Sequence, residues 1–263
     1  MTPDRPAPPA AFFELRAPPD WRAIELISDL HLSELQPATI EAFAHYLHST
    51  AADAVLILGD LFEVWVGDDS RVAGTFAARA AAILTEASRE RSIGFMAGNR
   101  DFLVGEELLG DCGLIALSDP MVLDAWGERI VLTHGDALCL ADKPYQAFRA
   151  QVRSLEWRRN FLARPLAERE QAARAMRDAS EAAKRRVAPG DWADVDAAAA
   201  MDWLRAADSK VMVHGHTHRP ASEMLAPGFT RHVLSDWDCD GQPTRAQVLR
   251  LTRDGFTRLD LAP

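Results

Sequence analysis

The chain has 263 residues, of which 48% are hydrophobic and 26% are charged, and its formal net charge is −10. This size and balance are typical of a globular protein with one large domain, or with one domain and a sizeable insertion. The acidic total argues against a protein that binds nucleic acid by general attraction to phosphates. The sequence contains no run of 18 apolar residues, so it predicts no transmembrane helix. Three widely spaced cysteines predict neither a disulfide framework nor a zinc site, which favours a reducing cytoplasm.

The first part of the chain alternates between strand-like and helix-like segments. Residues 1–20 contain six prolines and no basic segment followed by an apolar run, so we expect an irregular extension rather than a secretory signal. After this extension, short apolar runs predict strands over Ile24–Ile27, Ala54–Leu58 and Ile93–Ala97. Helical spacing lies between them, over Thr39–Ser49 and Arg71–Glu90, and we expect Asp68 and Asp69 to begin the second helix or to support a nearby site. This alternation is typical of an α/β sheet with parallel strands.

The second part begins with a predicted hairpin, Met121–Ala125 and Arg129–Thr133. Residues from about Tyr145 to Ala207 have a helical composition, with breaks at Pro165 and at Pro189-Gly190. Strand-like runs then return over Val211–Val213, Arg231–Leu234, Ala246–Leu251 and Phe256–Leu261. We therefore expect an α/β fold of two packed sheets flanked by helices. Its core would comprise residues 21–142 and 208–263, and residues 143–207 would form a helical insertion, a lid over the site.

Five predicted strands end in a turn that carries Asp, Asn or His. The turns are Ser28-Asp29-Leu30-His31, Gly59-Asp60, Gly98-Asn99-Arg100-Asp101, His134-Gly135-Asp136 and Gly215-His216-Thr217-His218. Any single one of them has a simple structural explanation as a turn or a hydrogen-bonded histidine. In open α/β sheets, however, the carboxyl ends of the strands converge on one crevice, so we expect all five turns to meet there.

The residue types in these turns indicate a metal site. Carboxylate oxygens and imidazole nitrogens bind divalent cations such as Mn, Fe, Zn or Mg. Asp29 and His31 are two residues apart, which lets both point the same way in an extended chain, and His216 and His218 repeat this spacing. Asp60 is the natural candidate to bridge two cations, because a carboxylate has two oxygens. Two cations a few ångströms apart can hold a hydroxide and clamp a phosphoryl group, so the pattern predicts a phosphoesterase.

Four motifs carry a resemblance to a known family. They are GDLFEVWVGDD (Gly59–Asp69), GNRDF (Gly98–Phe102), HGDALC (His134–Cys139) and HGHTHRP (His214–Pro220). Together they resemble the calcineurin-like metallophosphoesterases, and within them the UDP-2,3-diacylglucosamine pyrophosphatases of lipid A biosynthesis. The resemblance runs from about residue 24 to about residue 250. Arg100 stands where most of the superfamily has histidine, and it fits this branch.

The resemblance implies two manganese ions, with other divalent cations possible. The first would be held by Asp29, His31, Asp60 and His218, and the second by Asp60, Asn99, His134 and His216. It also implies that Asp60, Asn99, Arg100 and His134 are catalytic. Implied substrate contacts are Asn99, Arg100, Asp142, Ser180 and His216, and a gapless reading of the insertion adds Lys184.

The resemblance further implies hydrolysis of UDP-2,3-diacylglucosamine to UMP and 2,3-diacylglucosamine 1-phosphate, with attack on the uridine-side phosphorus. The alternative is another calcineurin-like phosphodiesterase that acts on a soluble nucleotide. A binding module without activity would usually have lost ligands, and all seven are present here.

The predicted insertion has the character expected for an anionic lipid partner. Between Lys143 and Arg186 there are twelve Lys or Arg and five Asp or Glu, a local net charge of +7. Trp157, Phe161, Leu162 and Leu166 form an apolar stripe that lines an acyl-chain cleft, packs on the main domain, or does both. We expect a lipid-linked UDP-sugar as substrate and peripheral contact with the cytoplasmic face of the inner membrane, with no nucleic-acid partner. The sequence makes no prediction of oligomeric state.

Overall fold

The strands of the computed structural model, which describes residues 8–184 and 193–261, form two six-stranded sheets flanked by helices. In chain order the strands are β1 (Phe13–Arg16), β2 (Ile24–Ile27), β3 (Ala54–Leu58), β4 (Ser92–Met96), β5 (Ile115–Leu117), β6 (Met121–Ala125), β7 (Glu128–Thr133), β8 (Val211–His214), β9 (Ala221–Ala226), β10 (Phe229–Val233), β11 (Gln247–Thr252) and β12 (Gly255–Asp260). The helices are α1 (Pro37–Ser49), α2 (Phe76–Ala87), α3 (Glu106–Asp111), α4 (Lys143–Val152), α5 (Leu155–Leu162), α6 (Leu166–Lys184) and α7 (Ala197–Ala206). The predicted fold class, α/β with two packed sheets, is confirmed.

The sheet order explains how the five turns come together. One sheet has the order β12-β11-β2-β3-β4-β5, and β2, β3, β4 and β5 run parallel in it. The other has the order β1-β6-β7-β8-β10-β9, with β7 parallel to β8. Parallel neighbours end at the same edge of a sheet, so the turns after β2, β3 and β4 meet at one edge, and those after β7 and β8 meet at another.

The core explains why β3 is a continuous apolar run and why the one charged residue of β2, Glu25, is bonded to Tyr46 and Arg250. Both strands are buried along their whole length, because each faces the opposite sheet on one side and helices on the other. Leu26 and Leu56 lie in the core between the sheets, whereas Ile27 and Ile57 pack in the helix-side core with Phe43 of α1. Burial on both faces therefore fixes the strands whose ends carry the candidate ligands.

The expectation that residues 1–20 are irregular is wrong for Phe13–Arg16. These residues form β1, which pairs in parallel with β6 at the edge of its sheet. Leu15 packs on the inter-sheet core, and Glu14 accepts a 2.7 Å hydrogen bond from Arg129 of β7. The strand is stabilised by partners more than 100 residues away in the chain. The local sequence, which is rich in proline, predicted an irregular segment instead.

The expectation that α2 begins near Arg71 is also wrong. The helix begins at Phe76, where Thr75 caps it by accepting a hydrogen bond from the Ala78 amide. Asp68 instead holds the start of α3, because its carboxylate accepts from the amides of Gly105 (3.0 Å) and Leu108 (2.9 Å). Its partners follow 37 and 40 residues later in the chain, so local sequence suggested the wrong helix.

Asp68→Ala is expected to lower the free energy of unfolding by about 1–2 kcal/mol, because two helix-start amides and the Trp65 indole N–H lose their acceptor. Urea denaturation measures the change. Asp254→Ala, in the exposed turn between β11 and β12, is the matched control and should be near neutral. Equal midpoints for the two variants would show that the Asp68 cap does not contribute to stability.

Helices α4 to α6 lie between β7 and α7 in the chain and are attached to the sheets by basic and aromatic side chains. Arg153 donates to the Gly98 carbonyl at 2.8 Å, and Arg169 pairs with Asp69. Phe161 is buried in the helix-side core, and Trp157 packs against that core with its ring centroid 6.0 Å from that of Phe102. Of the two interpretations of the apolar stripe, packing on the main domain therefore applies to these two aromatics. Leu162 stays on the surface, and the predicted break at Pro189-Gly190 lies outside the described residues.

Candidate metal centre

The five turns meet around one cleft of about 300 Å³. Its walls include His31, Asp60, Asn99, Arg100, His216 and His218. Asp29 and His134 are fully buried next to these residues. The ligand atoms of Asp29, His31 and His218 lie within 4.8 Å of one another, and the same is true of Asp29, Asp60 and His134. The structure thus brings all seven predicted metal ligands into one place.

The backbone presents these side chains in an unexpected conformation. The φ angles of Asp29, His31, Asp60, His216 and His218 lie between 50° and 65°. This left-handed region costs about 1 kcal/mol or more for each non-glycine residue, so it persists only where the surroundings impose it. Asp29 and His31 were predicted to point the same way because the chain between them would be extended. The prediction of an extended chain is wrong. Sharp turns, not extended backbone, aim both side chains at the cleft.

Two imidazole nitrogens converge on the side-chain oxygen of Asn99. Its Oδ1 lies 3.0 Å from His134 Nε2 and 2.8 Å from His216 Nδ1. Asp60 Oδ1 lies 3.7 Å from the same His134 Nε2. His134 Nδ1 lies 2.9 Å from the Leu58 carbonyl, where it donates, so in the neutral imidazole Nε2 is the atom free to bind a cation.

A second group surrounds Asp29. Its Oδ2 accepts from the Ser28 hydroxyl (2.5 Å) and the His216 amide (2.9 Å). Its Oδ1 is buried without a hydrogen-bond donor, 3.4 Å from His218 Nε2 and 4.0 Å from His31 Nε2. A buried carboxylate oxygen without a donor is costly, and a cation between it and the two imidazoles would remove that cost. The donor set therefore fits a divalent metal ion.

Several residues that sequence reasoning missed surround the ligands. Glu63 Oε2 lies 3.0 Å from His31 Nδ1, and Asp236 Oδ2 lies 3.8 Å from His218 Nδ1. Asp101 accepts from the Gly98 amide at 2.8 Å, and its burial together with the charge of Asp60 raises its pKa to about 7. Glu63 and Asp101 lie inside the motifs GDLFE and GNRDF, which was the only available signal. Nothing in the sequence pointed to Asp236.

Without a cation, the buried carboxylates determine the charge of the histidines. Burial opposes protonation of His134, but the nearby Asp60 and Asp29 carboxylates outweigh it and raise its pKa to about 9. Burial and the charge of His134 lower the pKa of His216 to about 4. At neutral pH the metal-free site therefore holds a proton on His134 that a cation must displace, and the carboxylates around His31 raise the pKa of that imidazole as well.

Metal uptake is expected to release this proton. Only neutral imidazole ligates, so the apparent Mn²⁺ affinity should rise by about tenfold per pH unit and level off near the His134 pKa of about 9. Isothermal titration calorimetry in buffers of different ionisation enthalpy measures the released protons. An affinity that does not change between pH 6 and pH 9 would contradict this charge assignment.

The predicted substrate contacts divide into three groups. Asn99, Arg100 and His216 all line the cleft, and the Arg100 amide donates to Asp60 Oδ1 at 2.8 Å. Asp142 is exposed and caps α4 by accepting from the Tyr145 amide at 3.0 Å. Ser180 and Lys184 belong to α6, but their side chains lie outside the described part of the structure.

The sequence profile of the calcineurin-like phosphoesterases matches residues 24–220, a range that contains all seven candidate ligands. This chain is a calcineurin-like phosphoesterase. The resemblance carried by its motifs is thereby confirmed, and the phosphoesterase is a metal-dependent hydrolase. No helix in the described ranges has both the length and the apolar character needed to cross a bilayer.

Three relatives show how far the similarity of this phosphoesterase extends. It is 42% identical over 243 residues to a Bordetella pertussis protein named UDP-2,3-diacylglucosamine hydrolase, with 90% of this chain and 94% of the relative covered. A protein of the same name from Xanthomonas oryzae pv. oryzae is 42% identical over 244 residues, which cover 88% and 96% of the two chains. The Stenotrophomonas maltophilia protein of that name is 40% identical over 253 residues, which cover 90% and 97%.

Proposed function

We propose that this phosphoesterase hydrolyses UDP-2,3-diacylglucosamine to UMP and 2,3-diacylglucosamine 1-phosphate in lipid A biosynthesis. The observation that carries the proposal is the 40–42% identity to hydrolases named for this substrate, over about nine-tenths of the chain. Water would attack the phosphorus on the uridine side, and the bond from that phosphorus to the bridging oxygen would break. The bridging oxygen leaves with the sugar phosphate, and two protons are released when both products are dianions.

Two Mn²⁺ ions are proposed as the cofactors. Asp29, His31, Asp60 and His218 would hold the first, and Asp60, Asn99, His134 and His216 the second. When bound, such cations lower the pKa of water and neutralise charge that develops on phosphoryl oxygens. The proposal is supported by the unpartnered Asp29 Oδ1 and by the convergence of His134 and His216 nitrogens on Asn99 Oδ1.

Arg100 is proposed to bind the pyrophosphate. Its amide is tied to Asp60, and its guanidinium lies in the cleft 3.6 Å from Glu63 Oε1. A planar guanidinium provides parallel N–H donors that match phosphate oxygens. Asn99 and His216 would complete the contacts from the cleft, while Asp142, Ser180 and Lys184 would contribute from the helices after β7.

The helices within residues 143–207 are proposed as an insertion that meets the acyl chains and the membrane surface. Leu155 is 84% exposed, and Leu162 and Phe148 are 38% and 37% exposed. Arg159 and Arg164 are exposed nearby in the chain. Apolar side chains flanked by arginines suit the headgroup region of an anionic leaflet, so we propose peripheral binding to the cytoplasmic face of the inner membrane.

A comparison of substrates tests the proposed function. Purified protein with Mn²⁺ is assayed on UDP-2,3-diacylglucosamine, UDP-glucose and bis-p-nitrophenyl phosphate. We expect the lipid-linked substrate to be strongly preferred, because only it can use the insertion. Equal rates on all three would favour a phosphodiesterase for soluble nucleotides. Hydrolysis in H₂¹⁸O provides the second readout, since attack at the uridine side puts the label into UMP.

A further inference from the structure

The Glu63 side chain lies between the candidate metal ligand His31 and two arginines that line the cleft, Arg100 and Arg177. Glu63 follows β3 by five residues, and its side chain is 12% exposed. Its two oxygens face different partners. Oε2 lies 3.0 Å from His31 Nδ1, whereas Oε1 lies 3.0 Å from Arg177 Nε of α6 and 3.6 Å from a terminal nitrogen of Arg100.

The main chain around Glu63 is fixed on both sides. The Glu63 amide donates to the Leu32 carbonyl at 3.1 Å, next to His31, and the Trp65 amide donates to the Arg100 carbonyl at 3.3 Å. The segment that carries Glu63 is thus attached directly to the loops of the two residues that its carboxylate faces. A carboxylate whose main chain is fixed in this way can hold the side chains that it contacts in one orientation.

This placement suits an imidazole that ligates through Nε2. Such an imidazole must carry its proton on Nδ1, and the negative charge of a carboxylate 3.0 Å from Nδ1 favours that tautomer. His31 Nε2 is the atom that faces Asp29 and His218. The equivalent contact of His218, with Asp236, is longer at 3.8 Å, so Glu63 makes the closer of the two.

We propose that Glu63 is a positioning residue of the metal centre, which aims His31 Nε2 at the first cation through one oxygen and holds Arg100 and Arg177 through the other. Helix α6 is thereby joined to the metal centre through the Glu63 carboxylate. This inference rests on the proposed metal-dependent function. It adds a residue outside the seven ligands that determines how well one of the two cations binds.

Mn²⁺ titration of the metal-free protein tests this role without any substrate. Glu63→Gln keeps the size of the side chain but replaces the anion by a neutral amide. We expect the affinity of one Mn²⁺ to fall by about 10–100-fold, the range found when such outer carboxylates are altered. The affinity of the other Mn²⁺ should stay unchanged, whereas the melting temperature of the metal-free protein should fall, because the ion pairs of Glu63 with Arg100 and Arg177 are lost. Glu107→Gln, on the exposed surface of α3, removes the same charge and should change neither value.

The outcomes separate this inference from the proposed function. If the wild-type protein binds two Mn²⁺ ions and Glu63→Gln binds both with wild-type affinity, the positioning role is overturned and the proposed function stands. If the wild-type protein binds no Mn²⁺, the proposed function itself fails. Should Glu63→Gln lose its fold, Glu63→Asp, which withdraws the carboxylate from Nδ1 by one methylene, undergoes the same titration with the same two outcomes.

Discussion

Asp60→Asn is expected to lower kcat/KM for UDP-2,3-diacylglucosamine by about a thousandfold or more. Asp60 is the one ligand assigned to both cations, and it is almost completely buried, with Oδ1 3.7 Å from His134 Nε2. An amide has one oxygen and no charge, so it cannot bridge and neutralise two cations. A loss of about 4 kcal/mol of transition-state stabilisation corresponds to this factor.

Steady-state assays over a range of Mn²⁺ concentrations measure the effect. Asp254→Asn is the matched control, because Asp254 lies in the exposed turn between β11 and β12 and should leave kcat/KM unchanged. Asn has nearly the shape of Asp, and the amide of Arg100 can still donate to its oxygen. A loss of less than about tenfold, equal to about 1.4 kcal/mol, would contradict the bridging role of Asp60.

Gly98→Ala is expected to damage the site through packing alone. A Cβ at this position would lie 2.1 Å from Asp60 Oδ1 and 2.4 Å from the Asp60 amide nitrogen. The amide cannot move aside without displacing the whole turn, so the free energy of unfolding should fall by about 1–3 kcal/mol. A catalytic group displaced by about 1 Å loses about a hundredfold in rate, so kcat/KM should fall by at least that factor.

Gly110→Ala is the matched control for this prediction. Gly110 lies in α3, and an added Cβ there would meet no heavy atom within 4 Å. Alanine in a helix is more favourable than glycine by about 0.5–1 kcal/mol, so this variant should be equally stable or more stable and fully active. If Gly98→Ala behaved like Gly110→Ala, the close approach of the turns after β3 and β4 would not be required.

The sequence predicted much of the fold because the central strands leave a strong local signal. β2 and β3 are buried on both faces, so β3 is a continuous apolar run and β2 has Glu25 as its only polar residue, and both have the bounds that the sequence predicted. The turn after each strand carries buried polar residues, which are costly in a core unless they bind a partner. Parallel strand order then requires that these turns meet, and the resemblance to the calcineurin-like phosphoesterases selects the seven candidate ligands among the residues of these turns.

What local sequence could not show depends on contacts between distant segments. β1 is held by β6 and β7, and Asp68 caps a helix almost 40 residues further along the chain. The left-handed backbone at Asp29 and His31 is imposed by the packed turns, although Asp and His adopt this region more often than most other residues. Asp236 approaches His218 only because the chain after β10 returns to the cleft. Each of these features exists only once the sheets have assembled.

The most direct test of the metal centre is the anomalous scattering of crystals grown with Mn²⁺. We predict two peaks in the cleft with a shared ligand, Asp60. One should contact Asp29, His31 and His218, and the other should contact Asn99, His134 and His216. A single peak, or two peaks that do not share Asp60, would contradict the two-cation site on which the proposed hydrolysis depends.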